Sequence, residues 1–541
     1  MEVRVIFQTA RCVTLEIDDG SIYESEQEKE IYVDGKFYKK TRKVIESIYG
    51  LKPDREYAVR VKAAGTSETE KAETGASKNE TAEAGAADTG TAEVRVRTDR
   101  EFVTLNVRDF GARGDGVQDD THFIQAAIMA CPEESRVLIP EGTYKITSLF
   151  LKSGLRLELA EGAVLSAWTQ REKFPVLPGL VESYDEKGEY NLGTWEGNPL
   201  DCFAAIITGI NVEDVVIYGQ GTVEGNAGRD NWWHDPKVRR GAFRPRMIFL
   251  NHCEHVAVEG IRVQNSPSWN IHPYFSNHLR FLNLTVLNPK DSPNTDGLDP
   301  ESCRDVEIAG VYFSLGDDCI AVKSGKIYMG SKYKTPSRDI VIRQCCMRDG
   351  HGSITLGSEM AGGIRNLTVK DCRFLHTDRG LRIKTRRGRG KDAVIDQVVF
   401  ENIYMDHVMT PFVVNSFYYC DPDGFSEYVS SKEALPVDER TPDIRTLRFH
   451  RIEAANCHVA AAYMYGLPEK KIQCVEMSHV HIGFAEDAVR GEPAMLEGVG
   501  TVSRMGLYAN NIHTLILEDV TIQGQNGEKI ITHHIEHLVE K

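Results

Sequence analysis

A short alternating fragment recurs through most of this 541-residue chain and constrains its fold more than any other feature. Each fragment carries apolar residues at every second position and ends at Gly, Asn or Asp, which is typical of a short β-strand. In the central part of the chain, successive fragments begin about 23 to about 34 residues apart. The apolar residues that mark the repeat are Val215, Val256, Leu279, Val306, Ile340, Leu367, Val398, Leu447 and Leu515.

This period favours a parallel β-helix, in which each repeat forms one coil of a solenoid. A β-propeller blade requires about 40 to 45 residues and four strands, which is more than these repeats supply. An ordinary β-sandwich is the remaining alternative. We therefore predict an all-β fold with a parallel β-helix over residues 101–541, in which the 12 scattered Cys are buried thiols.

Residues 1–100 carry the sequence signals of strands and none of helices. This pattern predicts a separate small β domain. Asp34-Gly35 is a hairpin-type pair, and residues 51–57 resemble the tyrosine corner of fibronectin type III modules. The Trp that these modules usually carry on an early strand is missing. A Glu-, Thr-, Ala- and Gly-rich tract near 65–91 predicts a disordered insertion. We interpret the domain as a fibronectin type III-like β-sandwich that serves as a spacer or docking module.

The charge balance excludes several classes of partner. The chain has 64 Lys plus Arg against 80 Asp plus Glu, a formal charge of −16, which argues against general binding to nucleic acid or anionic membranes. No apolar run approaches the roughly 18 to 20 residues that span a bilayer. The first residues alternate like a strand and lack a signal-peptide pattern, so we expect a cytoplasmic protein. The sequence does not indicate an oligomeric state.

Three carboxylates stand out within the repeat: Asp296 before Gly297, and Asp317-Asp318 after Gly316. Taken alone, such residues also occur in ordinary turns at strand ends. The register of the repeat changes this interpretation, because Asp317 and His351 each lie about 11 residues after the marker of their own coil. Coils stack at roughly 4.8 Å, so carboxylates on adjacent coils could approach within about 5 to 10 Å.

A column of carboxylates on adjacent coils suits the hydrolysis of a glycosidic bond. That reaction needs one protonated carboxyl for the leaving oxygen and one ionised carboxylate to activate water or attack carbon. Crowding raises the pKa of one Asp, while nearby cations keep the others ionised. Spacing alone does not divide these roles among Asp296, Asp317 and Asp318. His351 lies between two Gly and is either part of the same face or a turn histidine.

A basic run at residues 379–391 lies next to this column, in a chain that is otherwise acidic. Arg382 and Lys384 alternate about Ile383, as strand residues that point one way, and we expect them to face the carboxylates. A second basic cluster at residues 237–246, which includes Arg244, lies near Trp232 and Trp233. The two rings could support a sugar, or they could simply pack in a loop. Cations beside an acid pair predict an anionic sugar as the substrate.

Four motifs together resemble the polygalacturonases, which form glycoside hydrolase family 28. They are Asn294-Thr295-Asp296, Gly316-Asp317-Asp318, Gly350-His351-Gly352 and Arg382-Ile383-Lys384, in the order of the family. The resemblance covers the chain from about Asn106 to its end.

The resemblance implies a right-handed parallel β-helix and an inverting hydrolysis of α-1,4-linked galacturonate without a metal or other cofactor. Asp317 would then be the general acid, Asp296 and Asp318 would activate the water, and His351 would tune the acid. Arg382 and Lys384 would hold substrate carboxylates. Asn294 and Gly352 match positions that line the same cleft.

The insertion from about Ala167 to Phe203, which includes Trp195-Glu196-Gly197, is similar to insertions of exo-acting bacterial members that close one end of the cleft. This similarity favours release of monomer or dimer from chain ends of oligo- or polygalacturonate. Two alternatives remain: a Ca²⁺-dependent pectate lyase, in which the carboxylates bind the metal, and a non-catalytic polysaccharide-binding β-solenoid.

Overall fold

A computed structural model describes residues 1–64, 90–182 and 189–541 of the protein. The chain divides into two compact units, Met1–Glu101 and Phe102–Lys541. The tract near 65–91 that the sequence predicts to be disordered lies outside the described residues, apart from its last two positions. No helix among the described residues is long and apolar enough to cross a bilayer.

The N-terminal unit consists of two small antiparallel sheets. One sheet contains Glu2–Gln8, Val13–Asp18 and Ile45–Ile48; the other contains Glu24–Val33, Lys36–Lys43, Glu56–Ala63 and Thr91–Arg97. Alternate residues of both sheets, among them Leu15, Ile31 and Val59, form its apolar core. The hydroxyl of Tyr57 accepts a hydrogen bond of 2.8 Å from the backbone N–H of Lys52, which ties this strand to the turn that precedes it; the fibronectin type III-like assignment stays a prediction.

The second unit is a parallel β-helix, which confirms the predicted fold class. Its strands form three parallel ladders that run along the axis of the solenoid. The first ladder contains Thr104–Asn106, Arg136–Ile139, Arg156–Leu159, Glu213–Gly219, Glu254–Glu259, Asn277–Leu282, Arg304–Ala309, Ser337–Arg343, Ile364–Leu375, Val394–Asp406, Asp443–Ile444, Thr446–Cys457, Ile472–Phe484, Ile512–Gln523 and His537–Glu540.

The second ladder lies beside the first, and the long strands from Ile364–Leu375 onward extend across both. Its separate strands are Asp115–Asp119, Gly142–Ile146, Ala163–Ala167, Thr222–Glu224, Arg262–Gln264, Thr285–Leu287, Tyr312–Ser314 and Cys346–Arg348.

The third ladder carries the residues of interest for function. Its strands are Leu149–Phe150, Ile207–Ile210, Ile248–Asn251, Ile271–Tyr274, Ile320–Val322, Ile354–Gly357, Arg379–Lys384, Thr410–Asn415, Ala460–Tyr465, Met505–Asn510 and Ile530–His533. Leu298 bridges Ile271 to Ile320, so the ladder continues through the coil between those two strands.

Short elements complete the described structure. The helices are Thr121–Ala130, Ile327–Tyr333 and Glu427–Ser430, with single 3₁₀ turns at Val107–Phe110 and Arg171–Lys173. Two antiparallel pairs join Val176–Leu177 to Cys202–Phe203 and Val181–Glu182 to Glu189–Tyr190.

The residues that mark the repeat are direct partners in the first ladder. Val256 pairs with Leu279, Leu279 with Val306, and Val306 with Ile340. The pairing continues from Ile340 to Leu367, Val398 and Leu447. Toward the N-terminal end of the ladder, Val215 pairs with Val256. Two later members were missed: Val475 pairs with both Leu447 and Leu515, and Leu538 pairs with Leu515. The predicted register of the repeat is therefore confirmed.

Like side chains stack along the interior of this solenoid. Phe374, Phe400 and Phe449 occupy neighbouring coils, with ring centroids 6.5 Å and 5.8 Å apart, and all three are fully buried. Phe412 of the third ladder packs on Phe449 at 4.6 Å. The interior therefore joins the ladder that forms the core to the ladder that carries the polar site.

We expect Phe400→Ala to lower the free energy of unfolding by about 3 to 5 kcal/mol, because it removes a buried ring and leaves a cavity. Urea denaturation followed by circular dichroism measures this change. The control is Val341→Ala on the same ladder, where the side chain is 36% exposed, and we expect a change within about 1 kcal/mol. Equal effects of the two substitutions would contradict the stacked interior.

Candidate active site

The polar residues of the predicted column lie where successive coils enter the third ladder. Backbone hydrogen bonds hold these entry turns in register: Gly297 N donates to Asp318 O at 3.0 Å, and Cys319 N donates to Gly352 O at 2.8 Å. Because each turn is bonded to the next, residues that are 21 positions apart (Gly297 and Asp318) or 33 positions apart (Cys319 and Gly352) become neighbours. Asp296, Asp318 and Gly352 are thus brought together by coil stacking.

The three carboxylates form a single cluster. One oxygen each of Asp296, Asp317 and Asp318 lies within 4.8 Å of the other two. Asp296 is 4% exposed and Asp318 is 1% exposed, whereas the side chain of Asp317 is 20% exposed. Asp317 is therefore the member of the cluster that is most open to a ligand.

Two cations hold Asp318 in its ionised form. Lys384 Nζ lies 2.8 Å from Oδ2, and Arg382 Nη1 donates to Oδ1 at 3.2 Å. Burial alone would raise the pKa of Asp318, but the charges of Lys384 and Arg382 outweigh burial and hold this pKa well below its usual range. The structure thus places Arg382 and Lys384 on the carboxylate column, as the alternation about Ile383 predicts.

Asp296 has the opposite tendency. Burial and the neighbouring charge of Asp317 raise its pKa to about 8, and the ammonium of Lys323, 3.6 Å away, opposes that rise only in part. With Asp318 ionised, the cluster therefore retains a proton at neutral pH. An oxygen of Asp317 lies within 4.8 Å of an oxygen of Asp296, so the charge of Asp317 acts directly on Asp296.

His351 lies over Asp317, with Nδ1 3.3 Å from Oδ1. The hydrogen bond to Asp317 raises the pKa of His351, although burial acts in the opposite direction. The side chain is 53% exposed, so His351 faces the open side of the cluster. It belongs to the carboxylate face and is not an isolated turn histidine.

Gly352 and Asn294 support the cluster from either side. A Cβ atom on Gly352 would collide with Thr355 Oγ1 and would lie 2.9 Å from Asp318 Oδ1, so only glycine leaves room for the carboxylate. Asn294 lines the pocket and adopts a left-handed backbone conformation with φ of 54°. Its side-chain oxygen accepts a hydrogen bond of 2.6 Å from Arg244.

The cluster lies in a pocket of about 660 Å³. Strand residues of the third ladder, such as Lys384, and the turns at its strand ends, such as that of Asp318, line the pocket, and residues from segments outside the ladders form its walls. The wall residues are Trp195, Glu196, Asn198, Leu200, Pro236, Lys237, Phe243, Tyr418, Cys420, Asp421 and Met495. Trp195 stacks on Phe243 with ring centroids 4.8 Å apart and on Trp269 at 6.3 Å, which gives the pocket a flat aromatic side.

The prediction that Trp232 and Trp233 support a sugar is wrong. Both are buried in the interior, at 0% and 6% exposure, and neither lines the pocket. Trp232 packs edge-on against Phe174 with centroids 5.6 Å apart, and Trp233 Nε1 donates to the carbonyl of Ser266. Burial of a large apolar ring prevails here over a surface role.

Arg244 requires a similar correction, because it supports the site without lining the pocket. It is 5% exposed, and its guanidinium donates to the carbonyl oxygens of Pro267 and Pro293 as well as to Asn294. Arg244 therefore fixes the position of Asn294. Of the cations in that basic cluster, Lys237 is the one that lines the pocket.

Sequence reasoning missed several residues of the pocket, above all Lys323. Val322 pairs with Leu356, and Leu356 pairs with Ile383, so Lys323 has the same phase as Lys384 two coils later. The register of the repeat could have identified it, had the register been applied to every ionisable residue. Tyr418 and Met495 lie on segments outside the ladders and carry no such signal, whereas Trp195 and Glu196 belong to the insertion that the family resemblance connects with the cleft, and they line the pocket.

The donor set of the cluster could bind a divalent cation through three carboxylate oxygens. However, both oxygens of Asp318 already contact Arg382 and Lys384, and Lys323 lies beside Asp296. A bound cation would therefore meet three positive charges, which favours acid–base chemistry over metal binding. A second group of possible ligands, His513, Glu536 and His537, lies far from these residues in sequence.

Comparison with known proteins identifies the family. The model of "Glycosyl hydrolases family 28" matches residues 186–434, a span that contains the carboxylate cluster, His351, Arg382 and Lys384. The chain is 31% identical over 390 residues to a probable polygalacturonase of Vitis vinifera, covering 70% of this chain and 74% of the relative. The chain belongs to glycoside hydrolase family 28. It is accordingly a glycoside hydrolase.

Other relatives extend this picture of the family. An endo-polygalacturonase of Pectobacterium parmentieri is 30% identical over 316 residues, covering 55% of this chain and 72% of the relative. Residues 104–157 match the model "Rhamnogalacturonase A/epimerase, pectate lyase-like".

Two solved structures share the fold of this family 28 chain. The family 28 exopolygalacturonase of Yersinia enterocolitica superposes with a TM-score of 0.69 at 18% identity, covering 98% of each chain. The exopolygalacturonase of Thermotoga maritima gives a TM-score of 0.59 at 23% identity, covering 74% of this chain and 96% of the other.

Proposed function

We propose that the protein hydrolyses α-1,4-linked galacturonate in pectin-derived oligo- or polygalacturonate, acting from chain ends with inversion at the anomeric carbon. The observation that carries this proposal is the cluster of Asp296, Asp317 and Asp318 against Arg382 and Lys384 in one pocket. It combines a retained proton, an ionised carboxylate and cationic groups at the same place.

The cations of the pocket support an acidic sugar as substrate. A uronate carboxylate is matched by the fork of an Arg guanidinium and by a Lys ammonium. Arg382 contacts Asp318 through Nη1 and Met495 Sδ through Nη2, so its plane is fixed at the pocket wall. Lys237 adds an exposed charge to the lining. Relatives named polygalacturonase support the same substrate class.

Asp317 is the proposed general acid. It is the most exposed member of the cluster, so a glycosidic oxygen in the pocket can approach Asp317 most readily. His351 contacts Asp317 on the open side of the cluster, and its pKa is raised. Protonated His351 can therefore stabilise the Asp317 carboxylate after Asp317 has donated its proton.

We expect Asp317→Asn to lower turnover on polygalacturonate by at least about a hundredfold, because it removes the proton donor. A reducing-end assay measures the loss. The control is Asp349→Asn on the neighbouring coil, whose carboxylate pairs with Lys290 and Arg348 outside the pocket and which should retain near-normal turnover. Near-normal turnover of Asp317→Asn would contradict the assignment of Asp317 as the general acid, whereas a wild-type protein that creates no reducing ends would indicate a non-catalytic polysaccharide-binding solenoid.

The same assay separates hydrolysis from a Ca²⁺-dependent lyase. We expect the wild-type reaction to proceed in EDTA and to create reducing ends without the ultraviolet absorbance of an unsaturated product. Loss of activity in EDTA together with new absorbance would establish the lyase alternative.

Asp318 and Asp296 are proposed to hold and activate the attacking water. Acid and base carboxyls of inverting glycosidases typically lie roughly 6.5 to 9.5 Å apart. The present cluster is tighter, so the proposal of inversion rests on the state of Asp318 rather than on this separation. Both oxygens of Asp318 are engaged by Arg382 and Lys384, which makes it a poor nucleophile toward carbon but leaves it able to orient a water.

Inversion predicts that the first product of an α-linked substrate is the β anomer. Proton NMR of a digestion in its first minutes reads this anomer before mutarotation mixes the two forms. An α anomer as the first product would show retention and would assign Asp318 or Asp296 as a nucleophile.

The segments outside the ladders that line the pocket support exo action. Lys326 N donates to Gly197 O at 3.0 Å, and a Cβ on Gly197 would lie 2.6 Å from that nitrogen. The segment of Trp195 and Glu196 is therefore packed directly on the coil that carries Lys326, and all three residues line the pocket. Met495 and Tyr418 wall another side. A pocket closed in this way suits a chain end better than the middle of a polymer.

We expect the early products from a defined oligogalacturonate to be one small species, a monomer or a dimer, together with the correspondingly shortened chain. Anion-exchange chromatography at less than a tenth of complete digestion measures the distribution. A ladder of intermediate oligomers from polymeric substrate would show internal cleavage and contradict the proposal.

A further inference from the structure

A fully buried lysine lies directly beneath the carboxylate cluster. Lys323 is 3% exposed, and its ammonium lies 3.3 Å from Glu359 Oε2, 3.6 Å from Asp296 Oδ2 and 3.9 Å from Asp299 Oδ1. It also lies 4.4 Å from the ring centroid of Trp269. One positive charge is therefore shared by three acidic side chains, one of which belongs to the cluster.

The carboxyl groups around Lys323 differ in their charge state. Asp299 is fully buried, and neither of its carboxylate oxygens has a hydrogen-bond partner among the described residues. Burial raises the pKa of Asp299 well above its ordinary value, which favours the neutral form of this carboxyl. Burial likewise raises the pKa of Glu359, but the charges of Lys323 and Lys326 outweigh it and keep Glu359 ionised. Asp296 and Glu359 thus compete for the same ammonium.

A buried ammonium is costly unless it is paired, and an apolar side chain of similar length could fill the same space. A charge at this position consequently has its clearest effect on the groups it contacts. Lys323 is nearer to Glu359 than to Asp296 by 0.3 Å, taken from the separations of 3.3 Å and 3.6 Å, so neither carboxylate holds it exclusively.

We propose that Lys323 is a positioning residue that fixes the orientation and the charge of Asp296, and that Glu359 limits this effect by competing for the Lys323 ammonium. The inference rests on the proposed function, in which Asp296 helps to activate the water. In that role Asp296 acts as a base only when ionised, and Lys323 is the cation in direct contact with it among the described residues.

The charge of Asp296 depends on groups from several coils. Asp317, Asp318, Asp299 and Glu359 are negative when ionised and oppose its ionisation, whereas Lys323, Lys384, Arg382 and protonated His351 favour it. Removal of the Lys323 charge should therefore raise the pKa of Asp296, and removal of the Glu359 charge should lower it. The two substitutions have opposite predicted signs.

The experiment measures kcat and KM of Lys323→Met and Lys323→Arg on an oligogalacturonate across the pH range. Because the base must be ionised, we expect the acidic limb of the profile to move to higher pH by at least about one unit in Lys323→Met. We expect kcat to fall at least about tenfold at the wild-type optimum, with a smaller change in KM. Lys323→Arg keeps the charge and should return the limb to within about half a unit of wild type.

Glu359→Gln provides the second arm and does not depend on Lys323→Met being well folded. This substitution removes the carboxylate that competes with Asp296 for the Lys323 ammonium. The pKa of Asp296 should then fall, and the acidic limb of the pH profile should move to lower pH. The matched control is Lys326→Met: Lys326 also lines the pocket, but it contacts Asp421 and Glu196 and not the cluster. Its KM is expected to rise while the limb stays in place.

A purely structural role for Lys323 would lower the melting temperature and activity without moving the limb. Unchanged limbs in Lys323→Met and Glu359→Gln, or shifts of the same sign in both, would overturn the inference. These results presuppose that the wild-type protein hydrolyses oligogalacturonate. An inactive wild type would instead count against the proposed function, so the two failures are distinguishable.

Discussion

The in-register pairing of parallel coils is the constraint on which the rest of the structure depends. Val256, Leu279 and Val306 pair in sequence along the first ladder, and the same register aligns the turns that enter the third. Because side chains alternate along a strand, a shift by one residue would turn Lys384 inward and Ile383 toward the carboxylates. The apolar interior therefore determines which polar residues meet. Core packing and site geometry are two results of the same pairing.

The site concentrates like charges, and its stability rests on how they are balanced. Asp318 is kept ionised by two cations, while Asp296, with one shared cation, retains a tendency to hold a proton. The difference arises from position, since Arg382 and Lys384 both lie on the strand that faces Asp318. Chemically identical side chains thus acquire different charge states from the coils around them, which is what general acid–base chemistry requires.

The sequence predicted the parts of the molecule that follow the repeat. The position of a residue within its coil can be read from its distance in sequence to the coil marker. The structure confirms the pairing of the markers, and it brings together the three Asp, His351, Arg382 and Lys384. Residues on segments outside the ladders do not follow the repeat, so Tyr418 and Met495 were missed, and Trp195 was connected with the cleft only by the family resemblance. Trp232 and Trp233 were misassigned because composition cannot distinguish a ring that packs inward from one that faces a ligand. Only three-dimensional packing separates those cases.

The walls of the pocket come from parts of the chain that are far apart. Trp195 and Met495 line the same pocket, although the acid cluster itself comes from neighbouring coils. Substitutions or insertions in either wall segment leave the register of the coils untouched. The shape of the pocket can therefore diverge among descendants of this protein while the acid cluster is inherited unchanged. In this architecture, selectivity and reactivity are separable traits.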